Sequence, residues 1–215
     1  MTALGHGELL TNELMGEFWE GLASLGAPVL EYVRPGLPRE ETVAAATAAD
    51  VRLTDEMLVW WSWHDGADNS NLDHRSAVGP TMGLMRLEEA LRMREMQLRS
   101  TSGRLRAGRE NRESPPYETW LPAWVPILRR DIYMVCADTS VGAKDATPLR
   151  AKGKGYRPEE SHQVLSTSMG TMVRAWIDAI RDDHWYLEGE YRLIRARYDY
   201  TTLPADVRHA WTWFM

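Results

Sequence analysis

The sequence predicts an α+β protein in which helices pack on a mainly antiparallel or mixed sheet. Helical periodicity prevails up to about residue 96, and short β-type runs prevail between residues 124 and 165. A helix at 168–183 then carries a continuous apolar stripe, which suits burial against that sheet. No run of Pro, Gly or Ser long enough to be a linker divides the 215 residues, so a single domain is expected.

Three helices are expected in the N-terminal third of the chain. The first spans residues 8–25, with leucines at helical spacing, and Gly26 ends it. The second begins near Pro38 and passes through an alanine-rich stretch. The third begins after Thr54, a good N-cap, and Gly66 is expected to cap its other end.

The remaining elements are predicted from shorter patterns. A helix is expected at 84–96, and two β-type runs within 124–137 indicate a hairpin. Residues 99–116 are rich in arginine, Gly, Ser and Pro, which indicates a long exposed insertion. Residues 184–215 are interpreted as a C-terminal helical extension.

The cysteine content and the lack of long apolar runs indicate the compartment. The single cysteine, Cys136, has no internal disulfide partner, which fits a reducing environment. The first residues lack a basic start and a continuous apolar run, which argues against a signal peptide. No stretch of about 18 apolar residues occurs. We therefore expect a cytoplasmic protein.

Charge is unevenly distributed along the chain. Residues 1–66 hold eleven acidic and three basic residues, a net charge of −8, whereas the remainder carries +2. An acidic N-terminal third repels nucleic acid and attracts a basic partner, although a solvated helix face is an equally simple explanation. Nucleic acid is therefore not an expected partner.

Tryptophan is unusually abundant, with ten tryptophans beside two phenylalanines. Trp60, Trp61 and Trp63 belong to one predicted helix and project at about 0°, 100° and 300° around its axis. They cannot all face one core, so at least one is expected near the surface. A tryptophan in that position is either core packing or a partner anchor.

A cluster of potential metal ligands follows that helix. Its members are His64, Asp65, Asp68, Asp73 and His74. Histidine and carboxylate together suit a divalent transition metal, but the spacing matches neither a zinc-protease helix nor a calcium-binding loop. We interpret the cluster as a helix end followed by a polar turn, and we predict no metal and no cofactor.

Other candidate chemistry is weaker. Cys136 lies in an apolar run, where a thiol is usually buried and unreactive, and no local signature pairs it with His162. Seven arginines fall within residues 92–112, but no aromatic residue that could stack on bases lies among them. A solvated segment is the simpler interpretation.

Six short motifs follow one another between about residues 28 and 183. They are residues 33–36, 51–56, 63–66, 84–91 and 124–127, and the helix at 168–181. In their order, and in details such as Trp124-Val125-Pro126-Ile127, they resemble the SUKH superfamily, the Smi/Knr-type domain. The arginine-rich insertion and the tail after residue 184 have no counterpart in that pattern.

The resemblance implies an α+β fold that binds a protein and has no catalytic residues. Bacterial members of the family are commonly immunity proteins that neutralise a cognate toxin, and fungal relatives look like scaffolds. An immunity protein is therefore the first hypothesis, an intracellular adaptor the second, and a metal-dependent hydrolase using the 64–74 cluster the third. The expected partner-binding residues are Trp19, Trp60, Trp63, Glu13, Glu17, Glu20 and Asp65.

Overall fold

A computed structural model describes residues 7–68, 74–80, 82–106, 120–152 and 164–197. The expected α+β class is confirmed. The helices are α1 (Asn12–Leu25), α2 (Arg39–Ala48), α3 (Asp55–Trp63), α4 (Leu87–Arg106) and α5 (Met169–Arg181). Two 3-10 turns lie at Pro28–Glu31 and His74–Ser76. In the part of the chain described, no helix combines the length and the apolar character that crossing a membrane requires.

The strands form three antiparallel sheets. Their bounds are β1 (Val33–Pro35), β2 (His64–Ala67), β3 (Gly83–Leu84), β4 (Trp124–Arg130), β5 (Tyr133–Asp138), β6 (Leu149–Lys152), β7 (Val164–Ser166), β8 (Trp185–Glu188) and β9 (Leu193–Ala196). The main sheet has the order β3-β4-β5-β6-β7, and two smaller sheets pair β1 with β2 and β8 with β9. The predicted hairpin at 124–137 is β4–β5, with its turn at Asp131, where φ is positive.

Side-chain caps start three of the helices. Hydroxyls of Thr11, Thr54 and Ser168 accept hydrogen bonds from backbone amides in the first turns of α1, α3 and α5. Each hydroxyl satisfies an amide that has no partner within its helix. At the other end of α1, Gly26 adopts a left-handed conformation with φ of 71°. The predicted start of the third helix and the predicted end of the first are therefore confirmed.

Gly66 does not have the expected role. Helix α3 ends at Trp63 and passes directly into strand β2, so Gly66 lies inside a strand rather than at a helix cap. Its φ is 73°, and a side chain there would collide with the backbone of Arg86. The glycine is needed for close backbone approach, which sequence spacing alone does not distinguish from capping.

The first residues of the insertion expected at 99–116 belong to a helix. Helix α4 continues through residue 106, and residues 107–119 lie outside the described residues. Arginine is a good helix former, so an arginine-rich segment that is poor in apolar residues can still continue a helix. Residues 95 and 96 and residues 99 and 100 are exposed, so the middle of α4 has one largely solvated side.

The C-terminal extension is not helical where it is described. Residues 185–196 form the β8–β9 hairpin, and its turn contains Gly189 and Arg192, both with positive φ. The Arg192 guanidinium donates a hydrogen bond to the carbonyl of Gly26 at 2.7 Å, which anchors the turn on the end of α1. This contact spans 166 residues and has no local sequence signal. Residues 198–215 lie outside the described residues.

Aromatic rings join α1, α3, α5 and the β8–β9 hairpin. Trp176 of α5 is buried, and its ring centroid lies 5.3 Å from Phe18, 6.4 Å from Trp60 and 6.0 Å from Trp185. The predicted burial of Trp176 is confirmed, but α5 packs mainly on α1 rather than on the main sheet. The aromatic part of the core therefore lies between these helices and the β8–β9 hairpin, and it is continuous with the buried residues of the main sheet.

Replacing Trp176 by Ala tests this packing. We expect the free energy of unfolding to fall by about 3–5 kcal/mol, because the change leaves a large cavity among four packed elements. The measurement is urea denaturation followed by circular dichroism. The matched control is Tyr191→Ala, since Tyr191 is 64 % exposed at the hairpin turn and its loss should change stability little. Equal destabilisation by both substitutions would contradict the assignment.

Candidate protein-binding surface

Of the three tryptophans of α3, Trp63 is the one that reaches the surface. It is half-buried at the end of α3, whereas Trp60 and Trp61 are completely buried. The expectation that at least one of the three lies near the surface is confirmed. Trp60 cannot contact a partner directly in this conformation, so its burial does not favour the partner-binding role predicted for it. Its ring packs instead against His64 and Trp176.

The Trp63 indole is held against α1 at two points. Its Nε1 donates a hydrogen bond to Oδ1 of Asn12 at 2.8 Å. Its six-membered ring lies over Gly16, where a Cβ atom would come within 3.6 Å of Cη2. We name the exposed area formed by Trp63, Asn12, Gly16, Glu13 and Glu20 the Trp63 surface. Asn12 and Gly16 were not predicted, although a glycine inside an amphipathic helix is a signal of close packing.

Glu13 and Glu20 flank the point where Trp63 meets α1. They lie three residues before and four residues after Gly16, so all three occupy one side of the helix. Both side chains are exposed, and neither forms an ion pair within the described residues. The pKa of Glu13 is lowered by a backbone hydrogen bond and then by the Thr11 hydroxyl, which favours its charged form. The Trp63 surface is therefore negatively charged.

Glu17 is committed elsewhere. Its carboxylate accepts hydrogen bonds from Arg174 at 2.9 Å and from Arg181 at 2.5 Å, both on α5. Arg174 also makes two hydrogen bonds of 3.1 Å to Glu8, and these raise the pKa of its guanidinium. Glu17 thus joins α1 to α5, and its charge is neutralised by a partner within the chain. Its assignment as a partner-binding residue is not supported by this arrangement.

Asp65 is also a structural residue. It is 8 % exposed, and its Oδ1 accepts a hydrogen bond from the backbone amide of Leu87 at 2.9 Å, at the start of α4. Its Oδ2 lies 3.9 Å from Arg34 Nε and 3.7 Å from Arg86 Nε. A carboxylate at a helix N-terminus stabilises that helix. The carboxylate of Asp65 thus caps a helix that begins 22 residues later, and this arrangement does not favour the partner-binding role predicted for Asp65.

Trp19 belongs mostly to the core. It is half-buried and packs against Phe18 and His64 at centroid distances of 5.6 and 5.9 Å. It lies on the same side of α1 as Asn12, so it borders the Trp63 surface without forming its centre.

His64 removes one ligand from the proposed metal cluster. It is completely buried between Trp19 and Trp60, and its Nδ1 accepts a hydrogen bond from the Gly66 amide at 3.1 Å. Among the described residues, no three potential ligands are grouped for a metal ion. The side chains of Asp73 and His74 lie outside the described part of the structure. Among the described members of the cluster, Asp68 is exposed and pairs with Arg34.

Cys136 lies on β5 and is completely buried. Burial raises the pKa of its thiol far above the ordinary value, so the nucleophilic thiolate is disfavoured. His162 lies outside the described residues. A buried, protonated thiol is a core residue in chemical terms.

Burial of His64 predicts how stability depends on pH. Burial lowers its pKa to about 3 from about 6.5, so between these values the unfolded chain binds more protons than the folded one. The contribution of His64 to the free energy of unfolding is therefore fully present above about pH 6.5, and it is lost as the pH falls toward 3. In denaturation curves from pH 4 to 7, His64→Phe should show a shallower loss of stability than the wild type. Identical slopes would contradict the assignment.

Comparison with protein-family models gave no match, and comparison with curated proteins gave none either.

Proposed function

We propose that this protein is a non-catalytic binding module of the immunity type, which neutralises a toxin domain by binding it through the Trp63 surface. The observation that carries the proposal is the half-exposed indole of Trp63, fixed against α1 beside two carboxylates without ion-pair partners among the described residues. A fixed aromatic side chain loses little conformational entropy on binding, which is typical of residues that dominate interface affinity.

Charge supports the same surface. Glu17 and Glu8 are neutralised by arginines of α5, but Glu13 and Glu20 are not paired within the described residues. Exposed acidic groups at an interface rim accelerate encounter with a basic protein, and salt weakens this effect. A basic toxin domain is the partner that this charge distribution favours.

The resemblance of six ordered motifs to the SUKH superfamily supports an immunity role over an unrelated binding role. An adaptor with another protein partner would use the same surface. A toxin gene directly beside the gene for this protein would favour immunity. The metal-dependent hydrolase is the weaker alternative, because His64 is inaccessible and Asp65 caps a helix.

The proposal is tested on a partner that is captured by pull-down with this protein and identified by mass spectrometry. The measurement is the kinetics of association and dissociation of that partner. Trp63→Ala should accelerate dissociation, with a loss of at least about 2 kcal/mol of binding free energy for a desolvated anchor. Glu13→Lys with Glu20→Lys should instead slow association and flatten its dependence on salt. Surface plasmon resonance separates the two rates.

Two controls locate the interface. Ile132→Ser removes a solvent-facing apolar side chain from the β4–β5 turn, where Ile132 is 50 % exposed, and it should leave both rates unchanged. Arg92→Ala with Arg99→Ala removes exposed charge from α4 and should also leave the affinity unchanged. If the arginine pair abolishes binding while the Trp63 surface variants do nothing, the interface lies on α4 and the proposal is wrong.

A further inference from the structure

We propose that the Trp63 surface binds an arginine side chain of the partner, with the guanidinium stacked on the indole and flanked by Glu13 and Glu20. This inference rests on the proposed function and adds the chemistry of the group that is recognised.

The N–H group of the Trp63 indole is already occupied within the chain. Asn12 Oδ1 already accepts the Nε1 hydrogen at 2.8 Å, so a partner gains no hydrogen bond from it. Gly16 lets the ring lie close against α1, and a large side chain at position 16 would displace it. With its N–H group occupied, the half-buried indole can recognise a partner through its π system, which attracts cations and planar groups.

The two carboxylates of the Trp63 surface lie near the point where the indole meets α1. Glu13 and Glu20 lie about one helical turn to either side of Gly16, where neighbouring Cβ atoms on one helix face are about 5–6 Å apart. Both carboxylates are exposed, and both lie on the side of α1 that carries Gly16, which the indole contacts. A cation on the ring interacts with the π system and with a carboxylate at the same time.

An arginine side chain fits this surface better than a lysine side chain does. A guanidinium is planar, is more weakly hydrated than an ammonium group, and can stack on an indole while its N–H groups bind a carboxylate. An ammonium group is compact and strongly hydrated, so it gains less from the ring. A nucleic acid or an acidic peptide would be repelled by the same two carboxylates. An arginine-bearing segment is therefore the best fit.

A peptide titration tests the inference without knowledge of the partner. The probes are three ten-residue peptides with alternating glycine and either arginine, lysine or citrulline, the last being the neutral isostere of arginine. Each is titrated into uniformly ¹⁵N-labelled full-length protein, and the indole cross-peaks are followed by NMR. The Trp63 peak is assigned by its loss in Trp63→Phe. The arginine peptide should shift this peak with Kd on the order of 1 mM, the lysine peptide less, and the citrulline peptide not at all.

Variants then separate the surface from net charge. Trp63→Ala should raise the Kd of the arginine peptide about tenfold, as monitored through the backbone peaks of α1. Glu13→Gln with Glu20→Gln should also weaken binding. Glu40→Gln with Glu41→Gln is the control: it removes an equal amount of negative charge from exposed positions of α2 and should leave the Kd of the arginine peptide unchanged.

Three results would overturn the inference: no shift of the Trp63 peak by the arginine peptide, equal shifts by the citrulline peptide, or equal weakening by the α1 and α2 charge variants. Failure here is distinct from failure of the proposed function. If Trp63→Ala abolishes binding of the captured partner but no peptide shifts the indole, the surface is correct and the arginine chemistry is wrong.

Discussion

The buried carboxylate of Glu56 holds three distant segments of this protein together. It is 3 % exposed, and its Oε1 accepts hydrogen bonds from the amides of Leu10 at 2.8 Å and Gly170 at 2.9 Å. Its Oε2 accepts one from the amide of Thr147 at 2.5 Å. These partners lie 46, 114 and 91 positions away in the sequence. Because burying a carboxylate is costly unless it is fully hydrogen-bonded, losing any of the three contacts would be unfavourable.

The rest of the helical layer follows from this contact. Gly170 belongs to the first turn of α5, where amides lack helical partners and favour a negative charge. A side chain at Gly170 would collide with the backbone of residues 8–10, so the approach requires glycine. Ser168 strengthens the same junction by donating a hydrogen bond to the Glu8 carbonyl at 2.5 Å. The start of α1 is thereby fixed against both α3 and α5.

The Trp63 surface depends on that junction. Asn12, which holds the Trp63 indole, is two residues after Leu10, and Trp63 is seven residues after Glu56 on the same helix. The carboxylate therefore fixes both sides of the surface relative to one another. A binding site formed by two helices needs such a rigid support, because an indole that is displaced by about an ångström no longer matches its partner.

The sequence predicted features that depend on local chemistry. Thr54 caps a helix through an amide three residues away, Gly26 ends one, and the apolar stripe of α5 identifies its buried side. It did not predict features that depend on distant partners. Glu17 resembles a solvated helix residue until α5 supplies two arginines, and Asp65 resembles a turn residue until α4 begins beside it. Local sequence predicts a helix where the β8–β9 hairpin lies. The contact that anchors the hairpin, from Arg192 to the carbonyl of Gly26, spans 166 residues and leaves no local signal.

Hydrogen exchange in Glu56→Gln tests most directly whether this carboxylate joins the three segments. The substituted side chain keeps the shape of glutamate, but it replaces one acceptor oxygen with a donor that faces a backbone amide. Relative to sheet amides such as that of Val135, protection at Leu10, Thr147 and Gly170 should fall together, by at least about tenfold. The Trp63 indole N–H should lose protection with them. Unchanged protection at all three amides would contradict the account.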